Sequence, residues 1–445
     1  MPPKMPATVA AGVTFFLKTA WAATPPRSPC VNGSIISLHC SNAPQRLYCL
    51  TPPKAKSFSM EWKIHRSLQE IPREAWNALA MGDFPFAEYD YLLAMELGAC
   101  VGAEPGWIPY YLGAWEGGRL LGASFLYQKD NSHGEFIFDF GWARAYHEHG
   151  LSYYPKWVSA SPFTPVTGPK LLIHPQADRE ALGHAMLERA LELRRREGGS
   201  GLHYLYIAEN EIPIFRDCGA MIRHSYQFEW RNADYRDFQD FLDGLRRKRR
   251  LQIARERRRV AELPVEIVAL TGDEIGAEHL GAMYGFYVAT FHKKFCSPYL
   301  SRRFFEEVHA RMRERMVLIL AKRGGEWVAG SINYRKGAAL YGRYWGCAEE
   351  YRNLHFELCY YQTIEYAIRH GLARVDAGAG GSHKMLRGFR PELTYSAHWI
   401  EHPGFREGIR HFLEKEKAFI AEELAYAREH DSFRRSAERE AEETE

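Results

Sequence analysis

AWEGGRLLGASFLYQK (residues 114–129) and AKRGGEWVAGSINYRK (residues 321–336) align without a gap at an offset of 207 residues. The two stretches are identical at the Ala, Gly-Gly, Ser, Tyr and Lys positions. Each predicts a strand, a Gly-Gly turn and a second strand, because glycine accepts the backbone conformation that a tight β-hairpin turn requires. A hairpin that recurs at this distance indicates a duplicated chain.

The residues that follow each hairpin continue the repeat with a further strand. FIFDFGWARAY and ALYGRYWGCAEEY predict strands that end at Trp142 in the first copy and at Trp345 in the second. Because these two tryptophans occupy equivalent strand ends, they are candidates to line a ligand cleft, although most aromatic rings in such clusters belong to the core.

A helix and another strand complete each copy. REALGHAMLERALELRRRE (residues 179–197) and FELCYYQTIEYAIRH (residues 356–370) predict the helices. Gly201 and Gly371 are typical of helix C-termini, and each opens a strand, GLHYLYI and GLARVDAG. Strands and helices in two similar copies predict an α/β fold: a mixed sheet built from tandem duplicated domains, with a central cleft.

Composition divides the chain into five parts. The first segment contains six Lys or Arg residues, no acidic residue and nine prolines, which favours a disordered leader, a targeting segment or a spurious extension that the fold does not need. The predicted parts are residues 1–59 (leader), 60–235 (first domain), 236–262 (basic linker helix), 263–402 (second domain) and 403–445 (C-terminal helix and acidic tail).

Charge and cysteine content exclude several classes of protein. Beyond residue 59 the chain is nearly neutral, so bulk charge indicates no DNA partner. The five cysteines there form no CxxC pair, and the neighbouring His147 and His149 have no third ligand at suitable spacing, so no metal site is predicted. No apolar run of about 18 residues occurs, so no membrane span is expected. A cytoplasmic location is predicted, or an organelle if the leader is a transit segment.

GAGGSHKMLRGF (residues 378–389) is the strongest candidate for an active-site loop. It follows a predicted strand, and ligands of open α/β sheets bind beyond the carboxyl ends of strands. Lys384 and Arg387 are predicted to hold an anionic or carbonyl group, and His383 to carry a proton. The alternative is a surface turn with solvated basic residues. REGGSG (residues 196–201) matches an acyl-CoA phosphate pattern, but it follows a helix and precedes a strand, which favours a helix stop.

Further polar and aromatic residues are candidates because they lie near these strand ends. Carboxylates there could act as bases on an attacking amine or could serve only as structural hydrogen-bond acceptors. The candidate base from the second copy is Asp376. The candidates for substrate binding are Asp139, Trp142, Tyr154, Lys156, Arg343, Tyr344, Trp345, His355 and Glu357.

The basic linker supplies a separate candidate. Residues 246–259 contain nine basic residues and one acidic residue at mainly helical spacing. Arg249 and Arg250 are predicted to contact phosphates, with a solvated helix face as the alternative.

Several of these motifs together resemble the FemAB-like family of peptidoglycan biosynthesis/recognition proteins, in the N-acetyltransferase (GNAT) superfamily. They include FPF, SPFTPVTGPKLL, QFEW, LYGRYWG and GSHKMLRGFRPELTYSAHW. The resemblance implies tandem GNAT-like domains, and the relatives that name the family transfer amino acids from aminoacyl-tRNA to cell-wall precursors. This chain departs from the family pattern at Gly380, Ser382 and Glu229, where the family has Gln, Glu and His.

These observations predict an acyl- or aminoacyltransferase. The donor would be acyl-CoA or aminoacyl-tRNA acting as a co-substrate, with no tightly bound cofactor, and the acceptor would be a small-molecule or peptidyl amine. tRNA is therefore a candidate partner. The alternative is a non-catalytic module that recognises a glycan, a peptide or a nucleotide-linked ligand. No sequence signal indicates the oligomeric state.

Overall fold

The computed structural model describes residues 60–434, and residues 61–434 lie in one compact unit. The predicted leader (residues 1–59) and the acidic end of the chain lie outside the described residues. No helix within residues 60–434 is long and apolar enough to cross a lipid bilayer.

Thirteen strands form one mixed sheet within the described part of the chain. The strands are β1 (Glu61–His65), β2 (Trp107–Glu116), β3 (Arg119–Lys129), β4 (Lys156–Ser159), β5 (Leu172–Ile173), β6 (Gly201–Ile207), β7 (Met221–Arg231), β8 (Glu266–Thr271), β9 (Met316–Arg323), β10 (Glu326–Lys336), β11 (Ala339–Cys347), β12 (Arg374–Asp376) and β13 (Arg390–Ile400).

Twelve α-helices lie in the same range. They are α1 (Arg73–Asn77), α2 (Tyr89–Leu97), α3 (Phe140–Glu148), α4 (Arg179–Glu197), α5 (Ile212–Asp217), α6 (Phe238–Asp243), α7 (Arg247–Ala261), α8 (Ala277–Lys293), α9 (Arg302–Met312), α10 (Leu354–Phe356), α11 (Gln362–Arg369) and α12 (Pro403–Glu429). A π-helical turn, Glu357–Tyr361, joins α10 to α11. Short 3₁₀ turns include Ser382–Arg387, which lies in the glycine-rich loop.

The sheet repeats the same order from both edges toward its centre. The main path runs β1-β2-β3-β4-β6-β13-β7-β12-β11-β10-β9-β8. The hairpins β2–β3 and β9–β10 are equivalent, as are the parallel pairs β4–β6 and β11–β12. The predicted fold class, a mixed α/β sheet of two duplicated GNAT-like copies, is confirmed.

Both predicted hairpin turns are confirmed as well. Gly117 and Gly118 separate β2 from β3, and Gly324 and Gly325 separate β9 from β10. All four glycines have positive φ, between 54° and 91°. Such turns match the twist of the strands that they join, which explains why the Gly-Gly pair occurs in both copies.

The two copies exchange their last strands at the centre of the sheet. β13, from the end of the second copy, lies between β6 and β7 of the first, and β7 in turn pairs with β12 of the second copy. Phe86 of the first copy also packs edge-on against Tyr334 and Tyr341 of the second, with ring centroids 5.6 and 5.3 Å apart. The copies therefore share one sheet and one hydrophobic cluster built from residues of both, while the predicted domain boundaries stay a prediction.

The expected strand ending at Trp142 is wrong, because this tryptophan lies in helix α3. Trp142, Ala145 and Tyr146 follow helical spacing and form a buried face, which packs in one apolar cluster with Phe405 and Ile409 of α12. The fourth strand of the first copy is instead β4. Trp345 does lie in a strand, β11, as predicted.

One predicted helix end also needs correction. Helix α4 covers the predicted range, but Gly198, with φ 81°, follows its last residue, and Gly201 opens strand β6. Gly371, with φ 62°, lies just beyond α11 as expected. REGGSG therefore lies between a helix and a strand, the arrangement that argued against a phosphate loop.

Candidate active site

A cavity opens where two parallel strands stop pairing. β11 and β12 pair only between residues 339–341 and 374–376. Beyond that point a cavity of about 520 Å³ is lined on one side by residues 342–345 of β11 and on the other by residues 377–381. This is the carboxyl end of a parallel strand pair, where the sheet leaves backbone groups free to meet a ligand.

A β-bulge shapes the β11 wall of this cavity. Ile332 pairs with Tyr344 and Asn333 pairs with Gly342, so Arg343 is the extra residue. A bulge re-aims neighbouring side chains and is frequent beside active sites. Nε and Nη1 of Arg343 are buried and have no hydrogen-bond partner among the described residues.

The first copy completes the wall through the loop after β4. The carbonyl oxygen of Phe163 accepts hydrogen bonds from Nη2 of Arg343 at 3.3 Å and from the hydroxyl of Tyr344 at 3.0 Å. Pro165 and Phe136 of the first copy also line the cavity. The exchanged strands and this loop explain how one site draws on both copies, although most of its lining belongs to the second copy.

The glycine-rich loop is held in place by a buried lysine and a buried aspartate. Oδ1 of Asp376 accepts a hydrogen bond from the backbone N–H of Gly378 at 2.7 Å. Nζ of Lys384 donates to the carbonyl oxygens of Gly378 at 2.8 Å and Ala379 at 3.2 Å. Burial lowers the pKa of Lys384 to about 8 and raises the pKa of Asp376. Lys384 lines the cavity and also positions its rim.

Two histidines and a tyrosine form the polar end of the cavity. The hydroxyl of Tyr360, from the π-helical turn, lies 2.9 Å from Nε2 of His383. Burial, followed by the charges of Arg387 and Lys384, lowers the pKa of His383. Burial also lowers the pKa of His355 to about 4. Both imidazoles are therefore neutral near pH 7, and a neutral imidazole can accept a proton.

Arg387 does not line the cavity. Its guanidinium forms a bidentate ion pair with Glu256 of α7, with distances of 2.9 to 3.1 Å, and donates to the hydroxyl of Tyr361 at 3.0 Å. It also donates to the carbonyl oxygen of His383 at 2.8 Å. Both Lys384 and Arg387 are 3% exposed, so they are not the solvated side chains of a surface turn, which was the alternative. Arg387 positions the loop through its partners.

Two further carboxylates singled out in the sequence have structural partners. Glu357 pairs with Arg257 of α7 at 3.0 Å and accepts from the side-chain amide of Gln362 at 2.8 Å. Glu229, at a departure from the family pattern, pairs with Arg374 at 3.0 Å. Neither carboxylate lines the cavity, whereas Arg343, Tyr344, Trp345 and His355 do.

Three of the four substrate residues predicted in the first copy, Asp139, Tyr154 and Lys156, belong to a separate hydrogen-bonded network. Nζ of Lys156 donates to Glu135 at 2.8 Å and also to Asp139. Burial alone would raise the pKa of Asp139, but the charge of Lys156 overrides it and holds that pKa below its usual range. The hydroxyl of Tyr154 lies 2.8 Å from Oγ of Ser132, in the same network. Asp139, Tyr154, Lys156 and Trp142 are absent from the cavity lining.

The predicted phosphate contacts lie on helix α7. Nη1 of Arg249 donates to the side chain of Gln252 at 3.2 Å, and Arg250 forms a half-exposed ion pair with Asp243 at 3.4 Å. Neither arginine lines the cavity. In the same helix, Glu256 pairs with Arg387 and Arg257 pairs with Glu357 of the second copy. Part of the charge of this helix therefore holds the fold together.

Several lining residues were not predicted. Tyr287, Phe291 and Lys294 come from helix α8 and the residue that follows it, and Tyr360 comes from the π-helical turn. The positions 287, 291 and 294 are spaced four and three residues apart, which places them on one helix face. That spacing is visible in the sequence, but nothing there indicates that the face borders a cavity and not the core.

The repeated halves, the exchanged central strands and the cavity beyond one parallel strand pair define a tandem GNAT-like protein of the mixed α/β class. The model of the FemAB-like family, described as peptidoglycan biosynthesis/recognition, matches residues 67–435, and the chain belongs to this family. A sequence search of curated proteins finds no match.

Solved structures show similar arrangements at low sequence identity. The chain is 13% identical to FemX, with a TM-score of 0.48, covering 79% of this chain and 100% of FemX. It is 14% identical to a tandem GNAT protein from the clavulanic acid biosynthesis pathway, with a TM-score of 0.43, covering 77% and 99% of the two chains. For L-PGS from Bacillus licheniformis the identity is 9% and the TM-score 0.42, covering 58% and 82%.

Proposed function

We propose that this protein transfers an acyl or aminoacyl group from an activated donor, acyl-CoA or aminoacyl-tRNA, to an amine acceptor. The observation that carries the proposal is the cavity between the separated ends of β11 and β12, which holds neutral imidazoles beside backbone groups that have no strand partner. Family membership supports a role in peptidoglycan-related chemistry.

The charge of the cavity suits an amine nucleophile. Arg343 and Lys384 disfavour a bound ammonium, so an acceptor amine is held in its neutral form, in which the nitrogen lone pair is free. Holding this nitrogen against the donor carbonyl converts an encounter between two molecules into a reaction within one complex. Proximity therefore supplies a large part of the rate.

The proposed step uses His383 as the proton acceptor. The amine nitrogen bonds to the carbonyl carbon, and the carbonyl oxygen takes up negative charge in a tetrahedral intermediate. His383 accepts the proton that the nitrogen releases. The intermediate then breaks its C–O bond to the tRNA ribose, or its C–S bond to the thiol of CoA, and the leaving group takes the proton from His383. The Lys384 ammonium stabilises the oxyanion electrostatically.

Mass spectrometry of the full-length protein with a mixed pool of aminoacyl-tRNA, acyl-CoA and amines tests the proposal. We expect a new amide whose mass is that of the acyl group plus the amine less one hydrogen, formed at a rate that His383→Gln lowers by roughly 100-fold. Lys415→Met, a change at an exposed position of α12, serves as the control and should leave the rate unchanged.

The same experiment addresses the alternative, a recognition module. If a donor or acceptor stays bound to the protein while no amide forms in any pool, the transferase proposal fails and non-catalytic recognition takes its place. If His383→Gln and the parent protein form amide at equal rates, the proton acceptor is a different group.

A further inference from the structure

The cavity has a one-sided charge. Three cations line it, namely Lys294 at the end of α8, Arg343 in the bulge and Lys384 in the glycine-rich loop. Among the described residues no aspartate or glutamate lines it. Asp376 lies behind the rim, bonded to the N–H of Gly378, and the charges of Arg343, Lys384 and Arg374 already act on it. A ligand would therefore meet a surplus of positive charge.

Aromatic rings form a substantial part of the remaining lining, beside smaller polar residues such as Thr290, Ser331 and Asn333. Tyr287 and Phe291 face the cavity from α8, Tyr299 from the following loop, Trp345 from β11 and Tyr360 from the π-helical turn. Tyr287 and Phe291 pack with centroids 4.8 Å apart, and Phe291 and Tyr299 with centroids 5.2 Å apart. Walls of this kind bury the apolar or aromatic surface of a ligand. They offer few polar groups that would fix the ligand's orientation.

We infer that the acyl group accepted by this cavity is apolar or aromatic and carries no ammonium, being either uncharged or anionic. This inference rests on the proposed function and chooses between donor classes. A simple acyl donor meets the condition, whereas an aminoacyl donor brings a free α-amine that is largely protonated below its pKa.

Aromatic walls can also attract cations, so the two effects must be weighed. Cation–π attraction is strongest where a cation meets ring faces with no competing charge. Here two fixed cations, Arg343 and Lys384, line the same cavity as the rings, and none of the carboxylates in the described part of the chain lines it to balance an added ammonium. Because the site is partly desolvated, repulsion between like charges outweighs the attraction to the rings, and the net effect on a bound ammonium is unfavourable.

Three small probes with the same phenylpropyl frame test the charge preference directly. They are 3-phenylpropionate, 3-phenylpropionamide and 3-phenylpropylamine, titrated into the full-length protein at pH 6.5 by calorimetry. We expect the anion and the amide to bind at least about tenfold more tightly than the ammonium. Equal or tighter binding of the ammonium overturns the inference, and so does the absence of binding by all three probes.

Charge reversal at Lys294 locates the effect in this cavity. Lys294 is exposed and lines the cavity mouth, so Lys294→Glu should fold normally and lower the preference for anion over ammonium about fivefold. Lys415→Glu makes the same charge change on α12, away from the cavity lining, and should leave the preference unchanged. An unaltered preference in Lys294→Glu places the binding elsewhere and overturns the inference.

A matched pair of donors separates this inference from the proposed function. The N-acetylcysteamine thioesters of 3-phenylpropionic acid and of phenylalanine differ only in the α-amino group. At pH 6.5 we expect transfer from the first to exceed transfer from the second at least about tenfold. Equal use of both donors overturns the inference and leaves the transferase intact. Selective probe binding with no transfer from either donor supports the inference and counts against the transferase.

Discussion

The hydroxyl of Tyr360 lies 2.9 Å from Nε2 of His383 and joins the π-helical turn after α10 to the glycine-rich loop after β12. A π-helical turn inserts an extra residue and redirects the side chains around it, and such turns are frequent at functional sites. Here it brings the phenol of Tyr360 to a histidine that lies 23 residues further along the chain. The contact fixes the ring of His383 at the edge of the cavity.

This contact predicts an acid limit in the rate of transfer. Burial, with the charges of Arg387 and Lys384, lowers the pKa of His383, so its base form persists as the pH falls below 6.5. We expect kcat/KM to fall only below that pH. In His383→Gln this acid limb should disappear along with roughly 99% of the rate, while Tyr360→Phe should keep the limb and lose about tenfold. A pH–rate profile with the same limb in His383→Gln would assign the ionisation to another group.

The ion pair between Arg387 and Glu256 predicts a large effect on stability. The two side chains are 4% and 12% exposed, so Arg387→Met leaves a carboxylate almost buried without its partner. We expect the free energy of unfolding to fall by about 3 kcal/mol. Arg250→Met, which removes the more exposed pair with Asp243, should cost less than about 1 kcal/mol. Urea denaturation of both variants checks the contrast, and equal losses would contradict it.

Much of the framework could be predicted from local signals. The Gly-Gly turns, helix α4 and the strand before the glycine-rich loop each depend on residues close together in sequence. The exchange of β7 and β13 could not be predicted, since strand pairing across the centre of the sheet depends on contacts between distant segments. Helix α3 was missed because its stretch is rich in aromatic residues, which also favour strands.

The site could be predicted only in part, because local signals identify its loop and strand but not contacts between distant segments. The loop from Gly378 onward lies beside the cavity, as do Arg343 and Trp345. The partner of Arg387 is 131 residues away in the linker helix, so its burial left no trace in the local sequence. The charged residues around Lys156 lie near a strand end in the sequence, which favours a place in the cleft, yet in the structure they neutralise one another inside the first copy.

The close approach of β11 to helix α8 predicts contrasting effects of two Gly→Ala changes. A methyl group at Gly346 would overlap the backbone carbonyl of Phe286 in α8, so the helix must move. We expect Gly346→Ala to lower the free energy of unfolding by about 1–3 kcal/mol and to weaken ligand binding, because α8 forms one cavity wall. At Gly281, in α8, no atom beyond the neighbouring backbone of the helix itself lies within 4 Å of an added methyl group. Gly281→Ala should therefore stabilise the protein by about 0.5–1 kcal/mol. Thermal melts in which both variants shift the melting temperature in the same direction relative to the parent would be inconsistent with this packing.

A pair of buried histidines predicts how stability changes with pH. Nδ1 of His203 lies 2.9 Å from Nδ1 of His398, and Nε2 of His398 lies 2.8 Å from Oγ of Ser396. Burial, followed by the charge of Lys156, lowers the pKa of His203 to about 3, and burial also lowers the pKa of His398 well below its usual range. Above pH 6.5 both histidines are neutral whether the chain is folded or unfolded. Below pH 6.5 only the unfolded chain gains these protons, so the free energy of unfolding falls as the pH falls.

Between pH 6.5 and 5.5 the free energy of unfolding should fall by about 1 kcal/mol for each buried histidine. His398→Gln removes one of the two and should reduce the loss over this interval by about that amount, even if the variant is less stable at every pH. His411→Gln, at an exposed position of α12, is the matched control and should preserve the loss of the parent protein. Urea denaturation at pH 6.5 and at pH 5.5 gives the free energy of unfolding of each variant and its fall over this interval. A loss in His398→Gln as large as that in the parent would mean that His398 carries a proton in the folded protein, and an NMR titration of its ring would then show the transition near pH 6.5.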